Sequence, residues 1–162
     1  GLITIFEQYL RFDPSAKLLL IGEGHLKEPM TQLIVDKQLE QSIFVLGKRA
    51  DVAKILPLCK ALLLPSFIEG LPGVILEAMY AKTPVIAYNV GGIGEVVTPN
   101  TGFLIEKDQE ADFVNAMCES LNSNSVGAKR TNAFQLVNTH YNNQKIAMDF
   151  EKVYQIVVND KN

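Results

Sequence analysis

The sequence has little cysteine, no basic excess and no long apolar run, and each shortage narrows what it can be. Its 162 residues include only two cysteines, Cys59 and Cys118. They form neither a metal-binding spacing nor a disulfide framework, which suits a reducing cytoplasm. Lys and Arg total 15 against 18 Asp and Glu, a net charge of −3. That excludes a nucleic-acid binder working through a strong basic field. No apolar run approaches the ~18–20 residues of a membrane span. The longest, such as Ala61-Leu62-Leu63-Leu64-Pro65, are strand-sized. Internal repeats, low-complexity tracts and targeting segments are also missing. What is present is 48% hydrophobic and 20% charged residues. This is the balance of one globular domain able to bury a core. The chain opens at Gly1, without Met, and runs straight into a helical pattern.

For about two thirds of the length, helix and strand patterns alternate. Leu2, Ile5, Phe6, Tyr9 and Leu10 recur at helical spacing, ending before Asp13-Pro14. Lys17–Ile21, Ser42–Leu46 and Ala61–Leu64 are short apolar runs closed by turn residues. They read as strands, the first buried on both faces and the third buried as well. Between them lie helical stretches at Leu26–Gln38 and Asp51–Leu56, with Pro29 near a first turn and Asp51 as a candidate N-cap. Pro72–Ala81 is the next helix, Pro84–Ala87 the next strand and Gly102–Ile105 the last. Ile93–Val97 is long enough for a single helical turn. Helices follow at Gln109–Leu121, Val126–Asn138 and Asn143–Val158, with a polar, turn-rich linker at 122–125. The pattern predicts an α/β domain, a Rossmann-like parallel sheet flanked by helices, with a helical C-terminal tail.

Such sheets bind ligands at the carboxyl ends of their strands. The loops expected there are 22–25, 47–49, 65–71 and 89–94. The third, Pro65-Ser66-Phe67-Ile68-Glu69-Gly70-Leu71, carries the most information. It leads into a helix opened by Pro72, which the first helical position tolerates. Behind it, Gly73, Val74 and Ile75 offer backbone N–H groups at a positive helix end, an anion site suited to phosphate. Gly70 and Gly73 let a ligand approach the backbone. Glu69 precedes this helix start, and Glu77 stands roughly 7–8 Å along the axis from Pro72. Carboxylates accept hydrogen bonds from hydroxyls, and a nucleotide-sugar has a sugar at each end of its diphosphate. Glu69 therefore suits the transferred sugar and Glu77 the ribose. The plain alternatives are a solvated loop charge and a surface helix residue. For Glu77 the apolar company of Val74-Ile75-Leu76 and Ala78-Met79 argues for a partner.

These residues carry a resemblance. The run Pro65-Ser66-x-x-Glu69-Gly70-Leu71-Pro72-x-x-x-Leu76-Glu77-Ala78-Met79 is followed by Thr83-Pro84-Val85-Ile86-Ala87 and Gly91-Gly92-x-x-Glu95-Val96-Val97. Together they resemble the C-terminal nucleotide-sugar donor-binding domain of a GT-B fold retaining glycosyltransferase. The nearer likeness is to family 4 (glycosyl transferases group 1), whose signature is the Glu69-x7-Glu77 pair. Leu18–Gly24 and Phe44–Gly47 fit as well. The likeness is close over residues 1–105 and looser to Tyr154.

The resemblance implies that Glu69 contacts donor-sugar hydroxyls and stabilises positive charge at the anomeric carbon, which makes it the candidate catalytic residue. It implies that Glu77 holds the ribose and that amides of Leu71, Gly73 and Val74, beside Gly70, surround the diphosphate. Pro72 departs from a common glycine and removes one donor. Lys48 and Arg49 match the segment bordering the nucleobase, with a solvated basic turn as the equal alternative. Gly22 and Gly24 match a loop facing the same cleft.

The implied substrate is a nucleotide-sugar, a UDP-sugar first, with no metal or other cofactor. The implied acceptor is a saccharide or lipid-linked glycan, in capsular, exopolysaccharide or cell-surface glycan biosynthesis, held by an N-terminal domain. That domain, and the family's first strand with its Gly-Arg and Lys cations, would lie upstream of Gly1, making the chain a fragment that by itself is inactive. A cytoplasmic location follows, with peripheral association at the inner membrane face open for the full-length enzyme. Two other readings remain: an isolated nucleotide-sugar-binding module, and a GT-B sugar-nucleotide epimerase. A dinucleotide fingerprint at Gly22-x-Gly24 fails because Lys27 replaces the third glycine.

Overall fold

Alternating helical and strand periods decide the backbone path, seen in a computed structural model that describes residues 1–121 and 123–159. In order, the elements are α1 (Leu2–Tyr9), β1 (Leu18–Ile21), α2 (Lys27–Asp36), β2 (Ile43–Gly47) and α3 (Val52–Ile55). Then come β3 (Leu62–Leu64), α4 (Gly73–Tyr80), β4 (Val85–Tyr88), β5 (Phe103–Ile105), α5 (Glu110–Ser120), α6 (Ser123–His140) and α7 (Asn143–Asn159). Short 3-10 turns occupy Leu56–Leu58 and Ile93–Glu95.

Strand β4 organises the core because successive side chains point to opposite sheet faces. All four of its residues are buried. Ile86 and Tyr88 join Ile5 and Phe6 of α1 and Phe113 and Met117 of α5. Val85 and Ala87 join Ile75, Ala78 and Met79 of α4 and Ala133 and Val137 of α6. The sheet thus has helices on both faces, the doubly wound α/β arrangement. Each fully buried large side chain here contributes about 1.5–3 kcal/mol.

The strands are all parallel, as expected, but they form two sheets: β1 with β2, and β3-β4-β5. No ladder joins β1 to β3. Burial also departs from the expectation of strands covered on both sides. Leu18 and Ile43 are in the core, whereas Leu19, Phe44 and Leu46 are each about 40% exposed (38, 40 and 38%). Helices cover the first of these faces and leave the second open.

Local ends differ in three places. Pro72 stands at the N-cap in an extended conformation (φ −69°, ψ 127°), so the helix opens one residue later at Gly73. Asp51 sits at the N-cap of α3 but makes no capping bond; its carboxylate is taken by Arg49. The expected linker at 122–125 is shorter: α6 begins at Ser123, and Asn122 lies outside the described residues. At the far end of α4, Lys82 adopts φ +56° while the Thr83 N–H donates to the Ala78 carbonyl, 2.8 Å away. That is the left-handed helix stop usually given to glycine.

Candidate functional site

The loop after β3 is held by what lies behind it. The Phe67 ring is 6.1 Å from that of Tyr88, which meets Phe113 edge-on at 5.3 Å. Lys107, just past β5, places its ammonium 4.8 Å from the centre of the Phe67 ring. The loop after β4 is tied in as well: the Gly92 N–H donates to the Gly70 carbonyl, 2.9 Å away. Gly91 adopts φ +54°, and a Cβ there would lie 1.8 Å from the Glu69 carbonyl oxygen. The close approach of the two loops therefore requires glycine at 91.

This packing presents the start of α4. Pro72 has no N–H and no side-chain cap, so nothing in its own sequence closes the helix end. The Ile75 N–H donates to the Pro72 carbonyl at 3.1 Å, so it is not available to a ligand as expected. Among the described residues, the amides of Leu71, Gly73 and Val74 have no hydrogen-bond acceptor. Space is open around Gly70 and Gly73, where a Cβ would meet nothing within 4 Å. Glu69 is half-buried and Glu77 exposed. No protein donor among the described residues reaches either carboxylate. Glu77 therefore differs from the expected residue in apolar company. Ile75, Ala78 and Met79 face the core, and the helical period turns Glu77 outward. The result is a run of donors unpaired among the described residues, with Glu69 before it and Glu77 after it along the chain, able to take an anion flanked by hydroxyls.

Gly22, Gly24, Lys48 and Arg49 form a second group on the β1–β2 sheet. Gly22 (φ +142°) donates its N–H to the Gly47 carbonyl, 2.9 Å away, which joins the two loops. Gly24 and Lys48 are exposed. The Arg49 guanidinium grips Asp51 through two bonds of 2.8 and 2.7 Å. Hydrogen bonding to Arg49 holds the Asp51 carboxyl below the usual carboxylate range. A depressed carboxyl contributes its stabilisation above its unfolded pKa and loses it as pH falls through the folded value. NMR titration should therefore show Asp51 protonating at lower pH than an ordinary aspartate, and Arg49→Ala should return it to the ordinary value. No hydrogen bond or ion pair among the described residues joins this group to the α4 cluster.

Sequence reasoning passed over Lys107 and the constraint at Gly91. The signal for Lys107 was its place directly after the last strand, at the sheet edge where ligands bind. Burial, with Glu110 and Asp108 adding, raises the Tyr88 phenol above its ordinary range, so the ring under the loop stays neutral. Among the described residues no cluster of His, Cys, Asp and Glu could hold a metal ion. No described helix is long and apolar enough to cross a membrane.

With this geometry defined, comparison with known proteins identifies the lineage. The sequence profile described as glycosyl transferases group 1 matches residues 2–123. The chain belongs to this family. It is 31% identical over 147 residues to N-acetyl-alpha-D-glucosaminyl L-malate synthase of Bacillus anthracis, covering 90% of this chain and 39% of that protein. It is 29% identical over 130 residues to poly(ribitol-phosphate) alpha-N-acetylglucosaminyltransferase of Staphylococcus aureus, covering 79% and 26%. The structure of an S. aureus TarM variant in complex with Fondaparinux, alpha-GlcNAc-glycerol and UDP superposes with a TM-score of 0.85 at 25% identity, over 94% of this chain and 32% of that one. The fold of this glycosyltransferase family member is thus the Rossmann-like α/β fold of GT-B enzymes. The chain spans about two fifths or less of the length of these relatives (39 and 26%).

Proposed function

We propose that this chain is the donor-binding lobe of a retaining glycosyltransferase that uses a nucleotide-sugar, a UDP-sugar first, to extend a saccharide or lipid-linked acceptor. The observation that carries this reading is the open start of α4. Among the described residues, three amides there have no acceptor, and the carboxylates before and after them in the chain, Glu69 and Glu77, have no donor. Names of relatives agree: one is an N-acetylglucosaminyltransferase, and one solved neighbour was bound to UDP.

The diphosphate accepts from the Leu71, Gly73 and Val74 amides at the positive helix end. The Glu77 carboxylate accepts from ribose hydroxyls, about 6 Å further along α4. Glu69 accepts from hydroxyls of the transferred sugar. In the transfer, the bond between the anomeric carbon and the diphosphate oxygen breaks, and its electron pair leaves with the diphosphate. The acceptor oxygen bonds to the anomeric carbon on the face the diphosphate leaves, and its proton passes to the departing diphosphate oxygen. Positive charge gathers on the sugar in between, and the fixed Glu69 carboxylate stabilises it. Retention at that carbon comes with the family resemblance. The net charge of −3 supplies no attraction for an anionic donor, so binding rests on these local groups.

Calorimetric titration of the full-length enzyme with UDP tests the site. Glu77→Ala should weaken UDP binding by roughly 10- to 100-fold, the worth of hydrogen bonds to a charged group. An unchanged dissociation constant would remove the ribose role from Glu77. A product of inverted anomeric configuration by NMR would remove retention.

A further inference from the structure

The loop that carries Glu69 is gripped from the ends of two other strands. From the β4 side, Gly91 abuts the Glu69 carbonyl, and the Gly92 N–H donates to the Gly70 carbonyl, 2.9 Å away. From the β5 side the hold is of another kind. Phe67 meets the Tyr88 ring at a tilt of 56°, and the Lys107 ammonium stands over the Phe67 ring, 4.8 Å from its centre. Between these holds Ile68 is 91% exposed, so its side chain adds no packing that would fix the loop.

Lys107 lies in an acidic turn, after Glu106 and before Asp108 and Glu110. Two of these carboxylates are taken by other donors. Glu106 accepts from the Asn89 side-chain amide, 2.9 Å away. Glu110 accepts from the Gly1 amine and the Gln8 side-chain amide, at 2.8 and 3.2 Å. Among the described residues Lys107 makes no ion pair, and its one contact is the ring. The ring in turn needs that contact. Phe67 is 49% exposed, so burial against Tyr88 alone holds it weakly. An ammonium over the face of the ring is attracted by its negative quadrupole.

We infer that Lys107 is a positioning residue for the transfer step: through Phe67, its charge holds the loop where Glu69 meets the transferred sugar, a role that rests on the donor reading of Glu69. Lys107 acts on the ring and not on the donor. The size of its effect is bounded by the contact. A cation over an aromatic ring at an exposed site corresponds to roughly 2- to 5-fold, and the grip of Gly91 and Gly92 on the same loop remains. The effect is also confined to one part of the site. Gly73, Val74 and Glu77 belong to α4, and their hold on a nucleotide does not pass through Phe67. Loss of the Lys107 charge should therefore reach the Glu69 step and leave nucleotide binding unchanged.

The test is a double-mutant cycle in the full-length enzyme. Lys107→Met keeps most of the side chain and removes its charge. It should lower kcat by roughly 2- to 5-fold, with KM for the UDP-sugar turned over fastest and the calorimetric Kd for UDP both unchanged. Lys107→Arg should restore at least half of the lost rate, because a guanidinium also stacks on aromatic faces. Phe67→Leu removes the ring. In that background Lys107→Met should change kcat by less than about 1.5-fold, since coupling is expected only between groups in contact. Phe67→Met replaces Phe67→Leu in the cycle if the latter melts below the assay temperature. NMR supplies a readout free of activity: ring current should shift the Lys107 ε-methylene protons upfield of those of other lysines, and the shift should vanish without the ring. Equal losses from Lys107→Met with and without the ring would overturn the inference, because Lys107 would then act on something other than Phe67. A raised KM or Kd would replace it with a direct contact between Lys107 and the donor. Unchanged turnover in Lys107→Met, or an ε-methylene signal without the upfield shift, would likewise end it. Normal turnover in Glu69→Gln would remove the donor reading and this role together. If Glu69→Gln is impaired and the cycle shows no coupling, the role of Lys107 alone is lost.

Discussion

Glu69→Gln in the full-length enzyme is expected to lower turnover by about 100- to 1,000-fold, with donor affinity nearly unchanged. Glutamine keeps the shape and can still hydrogen-bond to a sugar hydroxyl. It loses the negative charge, which matters most when positive charge develops at the anomeric carbon. The loss corresponds to about 3–4 kcal/mol of transition-state stabilisation. Glu69 is half-buried, and among the described residues no donor compensates its charge. Steady-state kinetics and calorimetry on one preparation separate the two effects. Near-normal turnover would end the catalytic role. A parallel loss of turnover and affinity would make Glu69 a binding residue only.

Gly91→Ala should have the next largest effect, although residue 91 lies outside the candidate binding groups. A methyl group there would sit 1.8 Å from the Glu69 carbonyl oxygen and 2.8 Å from its carbon. That overlap forces the Glu69 backbone to move. An L-residue at φ +54° adds roughly 1–2 kcal/mol of backbone strain. A displacement near 1 Å at a reacting group costs on the order of 100-fold in rate, so turnover should fall by about that factor at temperatures where the variant is folded. Gly92→Ala is the control. Its nearest contact would be 3.2 Å, from the Gly70 carbonyl oxygen, its φ is −84°, and its N–H still donates to Gly70. It should retain most activity. Equal losses in the two variants would show that loop packing in general, not the position of Glu69, sets the rate.

The sequence made some of this legible and concealed the rest for physical reasons. Strand β3, its loop and α4 were readable because Pro65, Gly70, Pro72 and Gly73 punctuate two strongly apolar segments. The parallel arrangement followed from strands alternating with helices. The exposure of Glu77 was misjudged by counting sequence neighbours, when the helical period sets the buried face at Ile75, Ala78 and Met79. The pairing of Arg49 with Asp51 depends on the turn between them, so the sequence leaves Arg49 open between a nucleobase contact and a solvated basic turn. The contact between Gly91 and Glu69 joins two separate loops, and no local pattern encodes it. The division into two sheets was hidden for the same reason. Strand order is a property of the assembled fold, and Leu18–Ile21 has the apolar pattern of a central strand whether or not both of its edges are paired.

All the ladders in the described residues are parallel, and this has a kinetic consequence. No hairpin can form first and serve as a template, because each pairing must wait for the crossover between its strands to close. Helices such as α1 and α5 can form within microseconds, ahead of any sheet register. Until β4 is paired on both sides, Val85-Ile86-Ala87-Tyr88 is an uncharged segment rich in strand formers, open to other chains. Refolding yield should therefore be limited by concentration and by the lifetime of unpaired β4, more than by the final depth of the core.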